Sequence, residues 1–346
     1  MLKALQCEIL QRDTELKDKV FHTVYFGGGT PSILTIRELE KLISEIYKSF
    51  KISTSPEITL EGNPDDLTKE FLDSLKQNTP VNRLSIGVQS FHDRDLHFMN
   101  RVHSSDDAIR SIENSLSAGF QNINIDLIYG IPTMSVNELE SNLALFKKFN
   151  IPHLSAYHLT IEPQTVFAYF RKKGKLQEIP ENESIKQYRN IMKFADEEGY
   201  EHYEISNFAR PGFHSKHNLG YWTGEAYLGF GPSAHSFDGK QRRWNISNNT
   251  RYIQSIENNK PDYYEYEIID ALKAYNEYIL TALRTIWGVD IHYLEQQFGQ
   301  DRCSCFLQGA KKFIDSGGLI HEKNKFYLSR EGKMMADYII SEMIVV

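Results

Sequence analysis

Apolar residues recur along the chain in short runs rich in β-branched and aromatic side chains, at 20–26, 57–60, 83–87, 122–127, 153–159 and 200–205. Runs of this length and composition predict buried strands. Between them helical spacing takes over, as at Leu39, Leu42, Ile43, Ile46, Tyr47 and Phe50, opened by Thr35 with Glu38 as a capping box. Ser135 and Glu138 repeat the device. Strand alternating with helix over roughly two hundred residues predicts parallel strands joined by right-handed crossovers, in a doubly wound sheet or a (β/α) barrel. Six such strands favour an α/β fold of the partial-barrel type.

Polar and glycine-rich segments sit immediately after these strands: GGGTP after Phe26, EGNP after Leu60, GVQSF after Ile86, DLIYGIP after Ile125 and TIEP after Leu159. In barrels of parallel strands the loops at the C-terminal strand ends converge on one face, so these segments are expected to line a common pocket. Any one of them alone reads as an ordinary βα turn.

The first predicted element is a helix over 2–18, with Leu2, Leu5, Ile9 and Leu10 as its apolar positions. A crossover helix follows a strand, so the chain reads as opening inside a βα unit. Residues 1–240 are expected to form the barrel and 241–266 a connecting segment. Residues 267–346 are expected to form a winged-helix-like domain, with helices at 268–285, 291–298 and 306–316 and then a strand, turn and strand. Lys311 and Lys312 lie on its third helix, where a DNA reader would place its contacts. No arginine or aromatic cluster accompanies them, so a solvated face is the simpler reading.

The chain has 346 residues, 39 basic and 46 acidic, and a formal net charge of −7. That balance argues against a broad grip on nucleic acid. The most apolar stretch, 338–346, is interrupted by Ser341 and Glu342, so no span is expected. The N-terminus lacks the pattern of a secretory signal, which makes a reducing cytoplasm the default and Cys7, Cys303 and Cys305 free thiols.

The chemistry on offer is polar and mixed. Gly27, Gly28, Gly29 and Thr30 match neither a P-loop nor a dinucleotide fingerprint, but successive glycines let the backbone approach a ligand closely. Glu61 and Asp126 end two strands and are candidates either for the acid and base of a glycosidase or for holding a cationic or hydroxylated ligand. With Gln89 and Arg101 nearby, the mixture suits a zwitterion. His217, Asn218, Tyr221 and Trp222 form a dense cluster, HNLGYW, followed by His235. A histidine beside aromatic rings is by default structural, and is also how proteins hold haem iron. Cys303 and Cys305 lack the further pair of a metal site.

Taken together, YFGGGTPSIL, EGNPDDLT, NRLSIGVQSFHDRDLHFMNRVH, INIDLIYGIP, LSAYHLTIEP and HNLGYW resemble the radical S-adenosylmethionine family of oxygen-independent coproporphyrinogen III oxidases and haem chaperones. The resemblance covers nearly the whole chain, and HNLGYW places it nearer the chaperones. It implies a radical-SAM, TIM-like (β/α)6 partial barrel with a C-terminal helical domain. It also implies that Gly28, Gly29, Thr30, Glu61, Gln89, Arg101, Asp126 and Thr160 contact S-adenosylmethionine. His217 would be the haem ligand, supported by Asn218, Tyr221 and Trp222. The implied partners are haem or porphyrin and haem-accepting respiratory enzymes, with peripheral membrane association. The alternative it carries is coproporphyrinogen III oxidation by a radical mechanism.

The same resemblance implies a 4Fe-4S cluster on a Cys-x-x-x-Cys-x-x-Cys segment, whose thiolates leave one iron open for S-adenosylmethionine. No such segment occurs in residues 1–346. The expectation is therefore a barrel without its first strand, with Met1 internal to a longer frame, and no catalytic residue is assigned.

Overall fold

The computed structural model describes residues 1–163, 165–174 and 176–345. They form two compact units that interleave in sequence, one of Met1–Val24, Arg37–Pro56 and Ser215–Val346, the other of Tyr25–Ile36 and Glu57–His214.

The largest sheet has seven strands, β1 (Phe21–Phe26), β2 (Ile52–Gly62), β3 (Arg83–Gln89), β4 (Asn122–Tyr129), β5 (His153–His158), β6 (Glu201–Glu204) and β7 (Asn207–Ala209). Their order is β1-β2-β3-β4-β5-β7-β6. β2 to β5 pair in parallel, as the strand–helix alternation predicts. The run at 200–205 departs from that expectation. It forms β6, which turns straight back into β7, and β7 pairs antiparallel with both β6 and β5. Only Ile205 and Ser206 separate the two strands, too short for the crossover that a parallel pair requires.

Alternation along the parallel strands sorts the chemistry. Ile58 and Leu60, Leu84, Ile86 and Val88, Ile123, Ile125 and Leu127, and Leu154 and Ala156 are all buried apolar positions. The residues between them share the opposite face, because register sets Glu61 beside Ser85, Ser85 beside Asn124, and Asp126 beside Ser155. That face is polar: Thr59, Glu61, Arg83, Ser85, Asn122, Asn124, Asp126, His153 and Ser155 all lie on it. The helix Val136–Phe149 opens with the Ser135–Glu138 capping box read from the sequence, and Ser105–Ser117 opens with a second box, Ser104 with Asp107.

In the other unit the first helix is shorter than expected, Leu2–Gln11 rather than 2–18. Apolar spacing stops at Leu10, and Leu16 takes a positive φ of 50° that no helix accommodates. The helix packs against Asn249–Glu257 through a cluster of Ala4, Tyr252, Ile256 and Tyr263, with Cys7 at its edge. Strands β8 (His235–Phe237), β9 (Gln241–Asn245) and β10 (Tyr264–Ile268) form an antiparallel sheet in the order β10-β9-β8. Beyond it come helix Ala271–Arg284, β11 (Val289–Asp290), helices Ile291–Phe298 and Gln300–Asp315, then β12 (Leu319–Glu322) and β13 (Lys325–Leu328). The last three strands pair in the order β11-β13-β12, the helix and strand sequence of a winged helix. Lys312 pairs with Glu342 on the surface.

Candidate functional site

Within the Tyr25–Ile36 and Glu57–His214 unit, the glycines after β1 lie against the end of β2. A Cβ on Gly27 would stand 2.6 Å from Tyr25 Cε1 and 2.8 Å from Glu61 Oε1, so only hydrogen fits there. Gly28 and Gly29 take φ of +69° and +138°, which other residues rarely adopt, and a Cβ on either would meet nothing within 4 Å. Backbone is thus presented to open space. The Tyr25 hydroxyl donates to Glu61 Oε1 at 2.7 Å. Burial and the neighbouring Glu61 push the Tyr25 phenol well above its ordinary range, so it stays a donor.

Gln89 is re-aimed by a local irregularity. Register slips between Ile86 and Gln89 as β3 runs along β4, and Gln89 takes φ of +64°. Its Oε1 is buried without a hydrogen-bond partner. A buried, strained amide with an unsatisfied acceptor marks a place where a ligand donor is missing. Arg101 donates from Nη2 to Asn63 Oδ1 at 2.8 Å, tying its loop to the EGNP turn after β2.

Asp126 keeps some contact with solvent at the strand end, yet protein surrounds it closely enough that burial pushes its carboxyl up to about 6. Asn124, donating to Oδ1 at 2.8 Å, opposes that rise, while Glu61 adds to it. Thr160 is exposed in the loop after β5, its hydroxyl donating to His158 O at 3.4 Å. Thr30 caps the 3-10 turn Pro31–Ile33 without a side-chain bond. Tyr25, Asn63, Asn124 and His153 join the group without having been singled out from the sequence. The signal for the last two was available: the period-2 alternation that places Asp126 also places them.

In the Met1–Val24, Arg37–Pro56 and Ser215–Val346 unit, HNLGYW lies on the helix Lys216–Trp222, capped by Ser215 Oγ accepting from Asn218 N. His217 and Tyr221 are one turn apart and share a face. His217 Nδ1 lies 3.0 Å from Thr23 Oγ1, and Nε2 lies 3.0 Å from the Tyr221 hydroxyl. Tyr221 is 42% exposed and packs edge-on to Tyr227. Burial of its ring, with Tyr227 beside it, pushes the phenol up to about 12, so it donates to Nε2. Trp222 falls on another side of the helix, under Arg284, with its indole nitrogen buried and unpartnered. His235 is exposed and stacks on Trp244.

Comparison with known proteins decides the family. The Radical SAM superfamily pattern matches residues 8–146, and that of the HemN C-terminal domain residues 269–335. A protein of Bacillus subtilis (strain 168) named haem chaperone HemW is 33% identical over 344 residues, spanning 99% of this chain and 90% of that one. The HemW of Lactococcus lactis subsp. lactis (strain IL1403) is 31% identical over 323 residues, 93% of this chain and 84% of its own.

The chain belongs to the HemW family of radical SAM proteins.

Its fold agrees with that membership. The solved structure of coproporphyrinogen III oxidase (HemN) from Escherichia coli, described as a radical SAM enzyme, superposes with a TM-score of 0.85. The match is at 21% identity over 99% of this chain and 82% of that one. The seven-stranded sheet and its helices are accordingly the radical SAM partial barrel, followed by a helical C-terminal domain. Radical SAM membership implies S-adenosylmethionine and a 4Fe-4S cluster. The Gly28, Gly29, Glu61, Gln89 and Asp126 group fits the first: it offers free backbone, an orphaned amide oxygen and two carboxylates. The thiols do not fit the second. Cys7 is packed at the edge of the Tyr252 cluster, Cys303 is buried, Cys305 is exposed, and among the described residues no three His, Cys, Asp or Glu side chains are placed to hold a metal.

Proposed function

We propose that this chain binds haem as cargo at His217 and passes it to respiratory enzymes, while holding S-adenosylmethionine on the polar face of the large sheet. The observation that carries the haem reading is the disposition of the His217 ring. Thr23 anchors Nδ1, and the Tyr221 hydroxyl lies 3.0 Å from Nε2 on the same helix face. A ligand nitrogen whose partner ring nitrogen is fixed by an oxygen is the usual arrangement for an imidazole on a metal. Iron would replace the Tyr221 hydroxyl at Nε2, with Tyr221 and Tyr227 left to pack on the macrocycle. The relatives named haem chaperones support the same reading.

S-adenosylmethionine, when bound, would be held through its amino and carboxylate groups by the Gly28–Gly29 backbone, Gln89 and Arg101, and through its hydroxyls by the carboxylates. The residues described here do the holding, and Tyr25 keeps Glu61 in place. No helix among the described residues is long and apolar enough to cross a membrane.

Haem titration of the purified chain, followed in the Soret band, tests the proposal. His217→Ala is expected to lose the axial-ligand spectrum and to bind at least tenfold more weakly, about the loss typical of a disrupted metal site. Unchanged spectrum and affinity in the variant would overturn the assignment.

A further inference from the structure

Asp126 stands at the end of a chain of buried hydrogen bonds. Asn124 Nδ2 donates to Asp126 Oδ1 and to Ser85 Oγ, each at 2.8 Å. The amide oxygen is thereby turned the other way, where it meets His153 Nδ1 and lies 3.1 Å from Ser155 Oγ, whose hydroxyl also reaches Asn207 Oδ1 at 2.9 Å. His153 Nε2 in turn lies 2.7 Å from the Tyr203 hydroxyl. His153 and Tyr203 are both 0% exposed.

The direction of every bond follows from elementary chemistry. Burial, with Arg83 nearby, holds the imidazole of His153 well below its ordinary range, so the ring is neutral and carries one N–H. An amide oxygen only accepts, which places that N–H on Nδ1 and leaves Nε2 to accept from Tyr203. Rotating the Asn124 amide by half a turn would set its oxygen against an ionised carboxylate and its NH2 against Nδ1, which could accept only after the His153 proton moved to Nε2. Tyr203, His153, Asn124 and Asp126 therefore form a series in which each member donates to the next, and such series strengthen one another. An amide does not pass a proton along, so the series orients and does not conduct.

We propose that His153 and Tyr203 are positioning residues for Asp126: they lock the Asn124 amide with its N–H on the carboxylate and so keep that carboxylate available as an anion to the ligand of this face. The statement that the ligand is S-adenosylmethionine rests on the cofactor reading above; the role of His153 in setting Asp126 does not. Asp126 is faced by Glu61 from β2, Tyr25 from β1, Arg83 from β3, and Ser155 and Tyr157 from β5. Of these, Glu61 disfavours its charge while Arg83 and Ser155 favour it. Asn124 opposes the burial of Asp126 more than any other neighbour does. Losing control of that amide moves the carboxyl further up.

The test has two readouts on the full chain. The first is the pH titration of the Asp126 carboxyl by 13C NMR without ligand, the resonance being assigned with Asp126→Asn. The second is S-adenosylmethionine binding by equilibrium dialysis between about pH 5 and pH 8. His153→Phe is expected to raise the carboxyl midpoint by on the order of one unit and to weaken binding near neutrality severalfold. His153→Asn, whose side-chain N–H reaches the place of Nδ1, is expected to return the midpoint close to the wild-type value. Tyr203→Phe deletes one oxygen and is expected to move it less, in the same direction; it decides the matter if His153→Phe does not fold. Unmoved midpoints in folded variants overturn the positioning role. A wild-type chain that binds no S-adenosylmethionine overturns the cofactor reading instead, and the carboxyl titration still decides the role of His153.

Discussion

Thr23 Oγ1 stands 3.0 Å from Nδ1 of His217, a contact between the first strand and a helix almost two hundred residues later. If the hydroxyl accepts from Nδ1–H, the lone pair is left on Nε2, the nitrogen that Tyr221 now covers. Thr23→Val keeps the shape of the side chain and removes the acceptor. The variant is expected to bind haem about tenfold more weakly, the usual consequence of losing the oxygen behind a ligand imidazole. His217→Ala should lose more, and the difference is read by Soret titration of the two side by side. Equal affinity in Thr23→Val and wild type would show that the tautomer is set by something else.

Much of this arrangement was legible in the residues and some was not. The strands carrying Glu61, Gln89 and Asp126 follow from apolar runs at 57–60, 83–87 and 122–127, because a buried parallel strand needs little beyond a hydrophobic face. The antiparallel return at Glu201–Glu204 was not legible, since pairing direction depends on the length of the next connection and not on the strand itself. Period-2 alternation puts Asn124 and His153 on the face of Asp126, but a lone polar residue inside an apolar run does not name its partner on another strand. Thr23 was hidden for the same reason: its meaning lies in a contact across 194 positions of sequence.

Gly27 and Gly28 separate two reasons for needing glycine. At Gly27 an added methyl would meet the Tyr25 ring and the Glu61 carboxylate, and both belong to the candidate cofactor site. Gly27→Ala is therefore expected to break the 2.7 Å Tyr25–Glu61 bond and to lower S-adenosylmethionine affinity at least tenfold, with a modest loss of stability. At Gly28 there is space and only the backbone objects, so Gly28→Ala is expected to cost about 1 kcal/mol of stability. Equilibrium dialysis and urea unfolding of the two variants distinguish steric from conformational demand. Equal binding losses would mean that the cradle is set by backbone alone.

Glu8 is fully buried in the N-terminal helix and accepts from Arg12 Nη1 at 2.9 Å, Asn245 Nδ2 at 2.8 Å, Gly231 N at 2.8 Å and the Tyr252 hydroxyl at 2.6 Å. Arg12 is itself 2% exposed and also donates to Gly229 O and Ser236 Oγ. Arg12 also holds Glu15, from Nε to Oε1 at 3.0 Å and from Nη2 to Oε2 at 2.8 Å, so removing Glu8 leaves the guanidinium one carboxylate and takes the acceptor from Gly231 N and the Tyr252 hydroxyl. Glu8→Ala is expected to destabilise its unit by about 2–4 kcal/mol through its orphaned donors, measured by urea unfolding at neutral pH. A loss below about 1 kcal/mol, the range of exposed pairs, would mean that water enters and replaces the carboxylate.

Asp126 carries a stability cost whose sign runs opposite to that of most carboxylates. Its carboxyl is raised from 3.8 to about 6 in the fold. The native state therefore binds its proton more tightly than the unfolded chain does. That contribution is fully present below the unfolded value and is lost as pH rises through about 6. Above it, the ionised group opposes folding by at most about 3 kcal/mol, less whatever its remaining contact with solvent recovers. Asp126→Asn has no charge to bury and can still accept the Asn124 bond. The variant should exceed wild type in urea midpoint near pH 8, and the advantage should shrink through pH 6 and vanish below about pH 4. It should also bind S-adenosylmethionine more weakly, because a carboxylate held ionised against its burial is the kind of strain that a binding site retains at the expense of stability. A difference that stays constant across the range would mean that the gain comes from packing and that the Asp126 charge costs the fold nothing.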